Sequence, residues 1–338
     1  MNKIRWCIIG AGGIADRRTI PAILLDTKNE LIAVMDKVES MAEKIGTKYG
    51  VKYYIDEEKM LKENECDCVY ISTPVMCHYE QAMLCLKYKR HVFIEKPIGF
   101  SSEQAEQILD AFKKANKQLS VGYMMKYHNL NLLAKQMIKA DKIGQVASIR
   151  LQFTCWYPDI EGAWRQIKKL GGGGALMDLG VHCIELAEFI LGEEIEKVGG
   201  FMNTRTFNYE VEDQAILVFK TKSGVLGHID VNFNIPDKAS ESKLEIYGTK
   251  GYIIAKGTLA QEEVGELSYL YSPQNDYSAA QNRAYEEAEV FYGEKGNLYL
   301  KQMQDFCGIV RSGKTDYFYA ERAVQVQKIV DEFYKINE

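Results

Sequence analysis

The sequence lacks the features that would place the protein in a membrane or on nucleic acid. It has no apolar run near the roughly 20 residues that a membrane-spanning helix needs, and it begins without a signal-peptide pattern. A basic excess is also missing, since the formal net charge is -5. Because nucleic-acid-binding proteins usually carry a positive patch, we expect neither a nucleic-acid partner nor membrane association.

Cysteine pairs with metal-site spacing are missing as well. None of the eight cysteines belongs to a C-x-x-C pair, and the tightest pair is Cys66-x-Cys68. This spacing does not suit zinc, so we expect no metal ion. Several cysteines fall inside apolar segments, which is typical of buried reduced thiols and predicts a cytoplasmic protein.

The chain is long enough for two domains, and its pattern changes near residue 123. It has 338 residues, of which 46% are hydrophobic and 26% are charged, an ordinary globular composition. Short apolar strands alternate with helices in the first third, and longer alternating strands follow. We therefore expect a nucleotide-binding domain over residues 1–123 and a second domain over residues 124–338.

A glycine motif follows the first predicted strand, Ile4–Ile9. Gly10 permits a tight turn, Gly12 lets the backbone approach a pyrophosphate, and Ala15 lets helix and strand pack closely. The diphosphate would lie at the start of the next helix, where free N–H groups favour an anion. The motif predicts a dinucleotide-binding turn formed by Gly10, Ala11, Gly12, Gly13, Ile14 and Ala15.

The end of the second predicted strand bears on the choice between NAD and NADP. Asp36 ends the strand Leu31–Met35, about 20 residues after the glycine motif. Its carboxylate would accept hydrogen bonds from the ribose hydroxyls and repel the additional phosphate of NADP. Lys37 follows directly, and a cation there would accept that phosphate if Asp36 turned away. NAD is therefore the expected cofactor, with NADP as the alternative.

The first domain continues as strands that alternate with helices, which predicts a doubly wound parallel sheet with helices on both faces. The predicted strands are Val51–Tyr54, Cys68–Ser72, His91–Ile94 and Gln118–Gly122, and the predicted helices are Ser40–Tyr49, Glu57–Lys62, Tyr79–Tyr88 and Ser102–Ala115.

Ligands bind such sheets beyond the carboxyl ends of the strands, which directs attention to two short segments. These are Ser72-Thr73-Pro74 and Glu95-Lys96-Pro97. Lys96 would hydrogen-bond a substrate hydroxyl or stabilise an alkoxide, although a lone turn lysine is more often only solvated. His78 begins the next helix, where capping or packing is a commoner role than chemistry.

A run of four glycines, Gly171 to Gly174, precedes another predicted helix. Asp178 and His182 lie four residues apart on it and therefore share one face. Glycines have no side chain to pack, so the run serves a close backbone approach or a strained turn. The alternative is a flexible loop followed by an ordinary helix with a surface Asp/His pair.

The second domain reads as a large, mainly antiparallel open sheet of an α+β domain. Residues 272–298 are polar and predict a loop that leads into a helix, and Arg322–Tyr334 predicts a final helix packed on this domain. The predicted strands are Val146–Trp156, Lys197–Phe207, Gln214–Thr221, Val225–Phe233, Lys243–Tyr247 and Tyr252–Ala255.

These motifs together resemble the Gfo/Idh/MocA family, which comprises glucose–fructose oxidoreductase, inositol dehydrogenase and their relatives. Val75 and Lys126 differ from the Asn and Arg that are frequent in the family. The resemblance rests on residues 10–15, on Ile71-Ser72-Thr73-Pro74 with His78, on His91 to Pro97, on Trp164-Arg165, on Gly172 to His182 and on Tyr247 to Gly251.

The resemblance implies roles for individual residues. Lys96, Asp178 and His182 would form the catalytic group, in which His182 exchanges the proton, Asp178 orients the imidazole and Lys96 polarises the reacting oxygen. Lys96, Asp178 and His182 would also contact substrate, as would Tyr123 and Arg165. The implied cofactor contacts are residues 10 and 12–15, Asp36, Lys37, Ser72, Thr73, Pro74, His78, Glu95, Lys96, Trp164 and Arg165.

The resemblance also implies a function: NAD(H)-dependent hydride transfer at a secondary hydroxyl or ketone of a sugar, glycoside or polyol. Three alternatives stay open. They are an NADPH-dependent sugar-ketone reductase of the 1,5-anhydrofructose reductase type, oxidation of a glycoside at C3 with tightly bound NAD, and a non-catalytic sugar-sensing regulator. In the family one face of the second sheet is often an oligomer interface, so we expect a homodimer or homotetramer.

Overall fold

The computed structural model describes residues 3–274, 276–277, 279 and 287–337, and the chain divides into two compact units. Unit one comprises Met1–Tyr123, Ile167–Gly172 and Tyr299–Lys328. Unit two comprises Met124–Gln166, Gly173–Leu298 and Ile329–Glu338. The chain therefore leaves unit one after Tyr123 and later returns to it twice.

Unit one is built on a six-stranded parallel sheet. The strand order is β3-β2-β1-β4-β5-β6, the order of a doubly wound dinucleotide-binding fold, which confirms the predicted class. The strands are β1 (Ile4–Ile9), β2 (Asn29–Met35), β3 (Lys52–Tyr54), β4 (Cys68–Ile71), β5 (His91–Ile94) and β6 (Leu119–Val121).

The helices begin and end at residues that suit their termini. Asp56 and Ser101 accept backbone N–H bonds from Lys59 and Gln104 at the starts of α3 and α5, and α5 ends at left-handed Asn116. The helices are α1 (Ile20–Leu25), α2 (Glu39–Tyr49), α3 (Glu57–Glu63), α4 (His78–Lys87), α5 (Ser102–Ala115), α6 (Asn129–Lys139), α7 (Lys168–Gly171), α8 (Val181–Leu191), α9 (Leu298–Arg311) and α10 (Phe318–Asn337).

Helix α9 supplies part of the core of unit one, although it begins at Leu298 and β6 ends at Val121. The ring of Phe306 lies 5.5 Å from that of Trp6 and 5.5 Å from that of Phe93, and all three side chains are buried. Arg311 donates to Asp26 at 3.2 Å at the end of the same helix. The parallel sheet therefore obtains one of its covering helices from the C-terminal part of the chain.

Unit two is built on an eight-stranded sheet in the order β14-β13-β12-β11-β7-β10-β9-β8. Every neighbouring pair is antiparallel except β10 with β7, which confirms the predicted mainly antiparallel sheet. The strands are β7 (Val146–Thr154), β8 (Ile195–Asn203), β9 (Gln214–Thr221), β10 (Leu226–Asn232), β11 (Lys243–Gly248), β12 (Gly251–Lys256), β13 (Glu266–Tyr271) and β14 (Glu289–Tyr292).

One face of this sheet is packed and the other is open. Along β9, Leu217 and Phe219 are buried, whereas the alternating residues Ile216 and Val218 are about half exposed. Phe201 pairs with Ile216 across β8 and β9, and 83% of its surface is exposed. We call the side formed by Phe201, Ile216, Val218 and Leu226 the open face.

Two expectations for the C-terminal part of the chain were wrong in detail. Residues 289–292 form strand β14 within the predicted loop, while residues 275, 278 and 280–286 of that loop lie outside the described residues. Helix α10 packs only in part on unit two. Its first half belongs to unit one, where Lys328 lies 2.6 Å from Glu106 of α5.

The eight cysteines are free thiols, of which Cys77 and Cys155 are only partly buried. Across the described ranges, no three His, Cys, Asp or Glu side chains are grouped as a metal site requires. None of the described helices combines the length and the apolar composition of a membrane span.

Candidate functional site

The turn after β1 has the tight geometry that its glycines predict. Gly10 adopts a left-handed φ of 85°, and a Cβ there would lie 2.9 Å from the Ser72 carbonyl carbon and from Thr73 Cγ2. A Cβ at Gly13 would meet no atom within 4 Å, so space is open above this part of the turn. The chain then enters a π-helical turn, Ala15–Thr19, that leads into α1. A group such as a diphosphate therefore fits beside this backbone.

Asp36 lies at the end of β2, beside the glycine turn. Its carboxylate accepts the Gly12 N–H at 3.3 Å and the Val38 N–H at 3.0 Å. Lys37 points elsewhere, since its Nζ lies 2.8 Å from Glu57 at the first turn of α3. The hydrogen bond with Glu57 raises the pKa of Lys37. Of the two residues considered for the ribose, only Asp36 contacts the glycine turn in these hydrogen bonds.

The segments after β4 and β5 are joined by His78. Its Nδ1 lies 2.9 Å from the Pro97 carbonyl oxygen, and its Nε2 lies 3.0 Å from that of Thr73. The side chain is buried, and this burial lowers its pKa to about 4. Ser72 Oγ in turn donates to the Gly10 carbonyl at 2.7 Å. Ser72 thus bonds the glycine turn, and the neutral His78 ring lies between the carbonyls of Thr73 and Pro97 and donates its single N–H to one of them.

Glu95 lies at the end of β5, where its carboxylate accepts a hydrogen bond from Tyr70. The two oxygens are 2.5 Å apart, and Tyr70 also accepts from Thr19 Oγ1 at 3.0 Å. Tyr70 is fully buried, and its pKa lies well above the ordinary value. Burial is the main cause, and the neighbouring Glu95 raises the pKa further. Sequence reasoning missed Tyr70, because nothing near it in the chain marks it as a partner of Glu95.

Lys96 follows Glu95 and is half-buried, and its peptide bond to Pro97 is cis. Tyr123, at the end of the first segment of unit one, is buried with 2% of its surface exposed.

Val75 is buried in the turn before α4. In unit two, Lys126 forms a buried ion pair with Glu185 at 3.0 Å. The two departures from the family pattern therefore lie in packed positions.

In unit two, the end of the glycine run approaches other parts of the same unit very closely. A Cβ at Gly174 would lie 1.9 Å from the Glu212 carbonyl oxygen, and a Cβ at Gly173 would lie 2.0 Å from Tyr334 Oη. Gly174 therefore requires glycine because backbone lies in the way, whereas a Cβ at Gly173 would require the end of the Tyr334 side chain to move. The close backbone approach predicted for this run occurs, within the protein itself, at Glu212 and Tyr334.

Glu212 caps the start of the helical segment that follows. Its carboxylate accepts the N–H groups of Gly174 and Leu176 at 2.9 Å each, and Tyr334 donates to it at 2.8 Å. Burial raises the pKa of Glu212, and the two backbone hydrogen bonds act in the opposite direction. The helix start is therefore fixed by a buried carboxylate, as helix N-termini favour.

Asp178 and His182 lie on the predicted helix, but its first part is π-helical, over Leu176–Gly180. Such turns are frequent at functional sites. Asp178 accepts a bond from Arg165 Nε at 3.2 Å, and its side chain is 26% exposed. His182, in the first turn of α8, is 6% exposed and packs edge-on against Phe153, with ring centroids 6.5 Å apart.

Arg165 joins three side chains of unit two. Its guanidinium lies over the Trp164 ring at 4.2 Å, bonds Asp178 and acts electrostatically on the Tyr157 hydroxyl. Burial is the main cause of the raised pKa of Tyr157, which the Arg165 cation partly offsets. Tyr157 was not singled out from the sequence, since no motif marks it. This carboxylate, guanidinium and phenol form a polar cluster, and the buried His182 imidazole lies four residues after Asp178 in the same helical segment.

Comparison with known proteins shows what the chain resembles. A family model described as an oxidoreductase family with an NAD-binding Rossmann fold matches residues 4–123, and a GFO/IDH/MocA C-terminal domain model matches residues 131–254. Together the two models cover more than half of the chain.

Individual relatives agree with these models. A 1,5-anhydro-D-fructose reductase of Ensifer adhaerens is 26% identical over 266 residues, covering 78% of this chain and 79% of that protein. A D-glucoside 3-dehydrogenase of Escherichia coli is 26% identical over 362 residues, covering 100% and 96%. A 3-ketoreductase from Actinomadura kijaniata, crystallised with NADP and TDP-benzene, superimposes with a TM-score of 0.88 at 22% identity, covering 100% and 98%.

Proposed function

This chain belongs to the Gfo/Idh/MocA family of NAD(P)-dependent oxidoreductases, and from that premise we propose that it transfers a hydride between NAD(H) and a secondary hydroxyl or ketone of a sugar, glycoside or polyol. The observation that carries the proposal is the ion pair, 3.2 Å long, between Arg165 and Asp178, the latter on the turn that leads into His182. It supplies a positioned carboxylate and an imidazole in one helical segment.

The proposed cofactor is NAD, held by unit one at the carboxyl edge of its sheet. The open space above Gly13 and the tight turn at Gly10 support a diphosphate there. Asp36 would accept the ribose hydroxyls, and its charge disfavours the phosphate of NADP. The proposed contacts within unit one are Gly10, Gly12, Gly13, Ile14, Ala15, Asp36, Ser72, Thr73, Pro74 and Lys96.

His78 and Glu95 are assigned a supporting part in this site. The ring nitrogens of His78 face two backbone carbonyls, and Glu95 accepts from Tyr70, so both side chains are engaged within unit one. We propose that they fix the loops at residues 72–74 and 95–97 that line the cofactor. Lys37 is likewise engaged by Glu57.

The chain's own residues would handle the proton and the developing charge. The nicotinamide, when bound, supplies or accepts the hydride. His182 would take the proton that the substrate hydroxyl loses in oxidation and return it in reduction, a role that suits an imidazole near neutral pH. Asp178 would stabilise the imidazolium, and Arg165 keeps Asp178 in place. Lys96 would stabilise the negative charge that develops on the reacting oxygen.

The test separates chemistry from cofactor binding. His182→Ala and Lys96→Ala should each lower turnover by about 10²-fold or more, the range of a lost general acid–base group, with NADH binding close to that of the wild type. NADH binding is followed by fluorescence titration, and turnover is measured with a panel of polyols, sugars and glycosides. Lys89→Ala, at an exposed lysine before β5, is the matched control. A His182 variant that lost NADH affinity but kept turnover would contradict these roles.

One more specific candidate is oxidation of a glycoside at C3. The D-glucoside 3-dehydrogenase resembles this chain over its whole length, which supports this reaction as a candidate. The purified protein would be denatured and the released nucleotide identified. Co-purified NAD together with activity on a glucoside supports this candidate, whereas activity confined to free polyols excludes it.

We further propose that the open face of unit two joins copies of this chain into a homodimer or homotetramer. Its apolar side chains, Phe201, Ile216, Val218 and Leu226, are between 49% and 83% exposed. Val218 and Leu226 line a shallow depression of about 540 Å³ on strands β7 to β10. Contiguous exposed apolar patches of this kind are typical of protein interaction surfaces.

A further inference from the structure

The side chain that follows Asp36 is held in an ion pair on the neighbouring helix. Lys37 Nζ lies 2.8 Å from Glu57 Oε2. Glu57 is the first residue of α3, and its side chain is only 20% exposed, whereas that of Lys37 is 67% exposed. The less mobile partner is therefore the carboxylate, and it determines where the ammonium lies.

Carboxylates, and not the helix itself, hold the ammonium at this place. The N-terminus of a helix carries partial positive charge and so disfavours a cation. Glu57 is the main group that raises the pKa of Lys37, and Asp56 adds a smaller contribution in the same direction. Asp56 also caps α3 through the Lys59 N–H at 2.7 Å, which fixes its position.

Asp36 is held by hydrogen bonds that involve neither Lys37 nor Glu57. Its two oxygens accept the N–H groups of Gly12 and Val38. The carboxylate thus stays beside the glycine turn while the next side chain turns to α3. NADP differs from NAD by a phosphate on the adenosine ribose, so a carboxylate repels it and an ammonium attracts it. The Asp36 carboxylate, which repels this phosphate, therefore lies beside the glycine turn, whereas the Lys37 ammonium, which would attract it, is held at α3.

We propose that Glu57 is a specificity-determining residue for the cofactor: by pairing with Lys37 it keeps the ammonium away from the ribose phosphate of NADP. This inference rests on the proposed NAD-binding function of unit one. Without Glu57, the Lys37 ammonium would approach the ribose phosphate and offset its repulsion by the Asp36 carboxylate. The ion pair with Glu57 prevents this. Glu57 belongs to a helix that no nucleotide-binding motif includes.

The experiment compares NADH and NADPH binding in four proteins. They are the wild type, Glu57→Gln, the double variant Glu57→Gln/Lys37→Gln, and Glu58→Gln as the matched control. Glu58 is the next residue of α3 and pairs with Lys87 instead, so its substitution removes the same charge and also breaks a surface ion pair. Fluorescence titration at low and fixed ionic strength gives both affinities.

The expected result is a gain for NADPH alone. Glu57→Gln should bind NADPH two- to five-fold more tightly than the wild type, the range that an exposed ion pair supplies, with NADH affinity changed less than two-fold. The double variant should lose this gain, and Glu58→Gln should match the wild type.

Each contrary outcome has a distinct meaning. Unchanged NADPH affinity in Glu57→Gln, with normal NADH binding, overturns the inference and leaves the proposed function intact. A gain that persists in the double variant overturns the part assigned to Lys37. A wild-type protein that binds neither nucleotide overturns the proposed function itself.

Discussion

At the scale of single residues, His78 is a buried group in unit one whose ionisation affects stability. Its ring lies between two backbone carbonyls, one after β4 and one after β5, and burial lowers its pKa to about 4. An exposed histidine in the unfolded chain has a pKa near 6.5. The unfolded chain therefore takes up a proton at a pH where the folded one does not.

The depressed pKa of His78 makes the folded protein less stable as the pH falls. The stabilising contribution of neutral His78 is fully present above about pH 6.5 and is lost as the pH falls toward 4. Between pH 7 and pH 5 the free energy of unfolding should fall by about 2 kcal/mol more in the wild type than in His78→Gln. Urea unfolding of both proteins at pH 7, 6 and 5 measures this difference, and parallel pH profiles would contradict it.

Residue-scale prediction from the sequence found the local structure where a motif marked it. The glycine turn and the helix that carries Asp178 and His182 were found in this way. Glu212 and Tyr334 were not, since Glu212 lies 38 residues from the Gly174 N–H that it accepts and 122 residues from Tyr334. A buried carboxylate that caps a remote helix has no local signal in the chain. The ion pair of Lys37 with Glu57 escaped for the same reason.

At the scale of elements, the segment from Gly173 to α8 shows how a helix start is fixed by packing. Glu212 satisfies two of its first N–H groups, and the absence of Cβ atoms at Gly173 and Gly174 lets Tyr334 and the Glu212 backbone approach. The orientation of the π-helical turn that follows, and with it Asp178, depends on this contact.

Substitution of Gly174 tests that dependence. In Gly174→Ala the new Cβ would lie 1.9 Å from the Glu212 carbonyl oxygen, so backbone must move and the protein should lose at least about 3 kcal/mol of stability. Gly308→Ala is the control, because Gly308 is at an exposed position of helix α9 and a Cβ there meets nothing within 4 Å. That variant should gain about 0.5–1 kcal/mol. Urea unfolding compares the two, and equal stabilities would refute the close approach.

Element bounds were predictable to the extent that the chain itself encodes them. The continuous apolar runs of β1 and β5 gave strands with the observed limits, and Ser101 with Asn116 delimits α5 as expected. Strand β13 alternates only weakly, and β14 is a mostly exposed edge strand, so neither had a clear pattern. The π-helical turns were also unpredicted, because they depend on contacts outside the helix.

At the scale of the whole molecule, the open face of unit two is an exposed apolar surface suited to binding another copy of the chain. Phe201 is the most exposed of its apolar side chains, and it lies on the edge strand β8. Burying such a ring contributes roughly 1.5–3 kcal/mol, which a second copy of the sheet would provide on both sides of an interface.

A charge on this face should therefore separate the copies. Phe201→Glu should reduce the molar mass measured by light scattering during size-exclusion chromatography to that of a single chain. Phe318→Glu, at a ring that is 52% exposed at the start of α10, should leave the mass unchanged. A wild-type protein with the mass of one chain would show that the open face does not join copies of this chain under those conditions.

The return of the chain to unit one has a consequence for synthesis on the ribosome. Phe306 packs against Trp6 and Phe93, yet it is made long after β6 has left the exit tunnel. At about 5–20 residues per second, the interval between residue 123 and α9 lasts roughly 10–35 s. During that time the nascent sheet exposes the rings that α9 will cover, which is the kind of surface that chaperones hold. Unit one therefore completes its core only when translation is nearly finished.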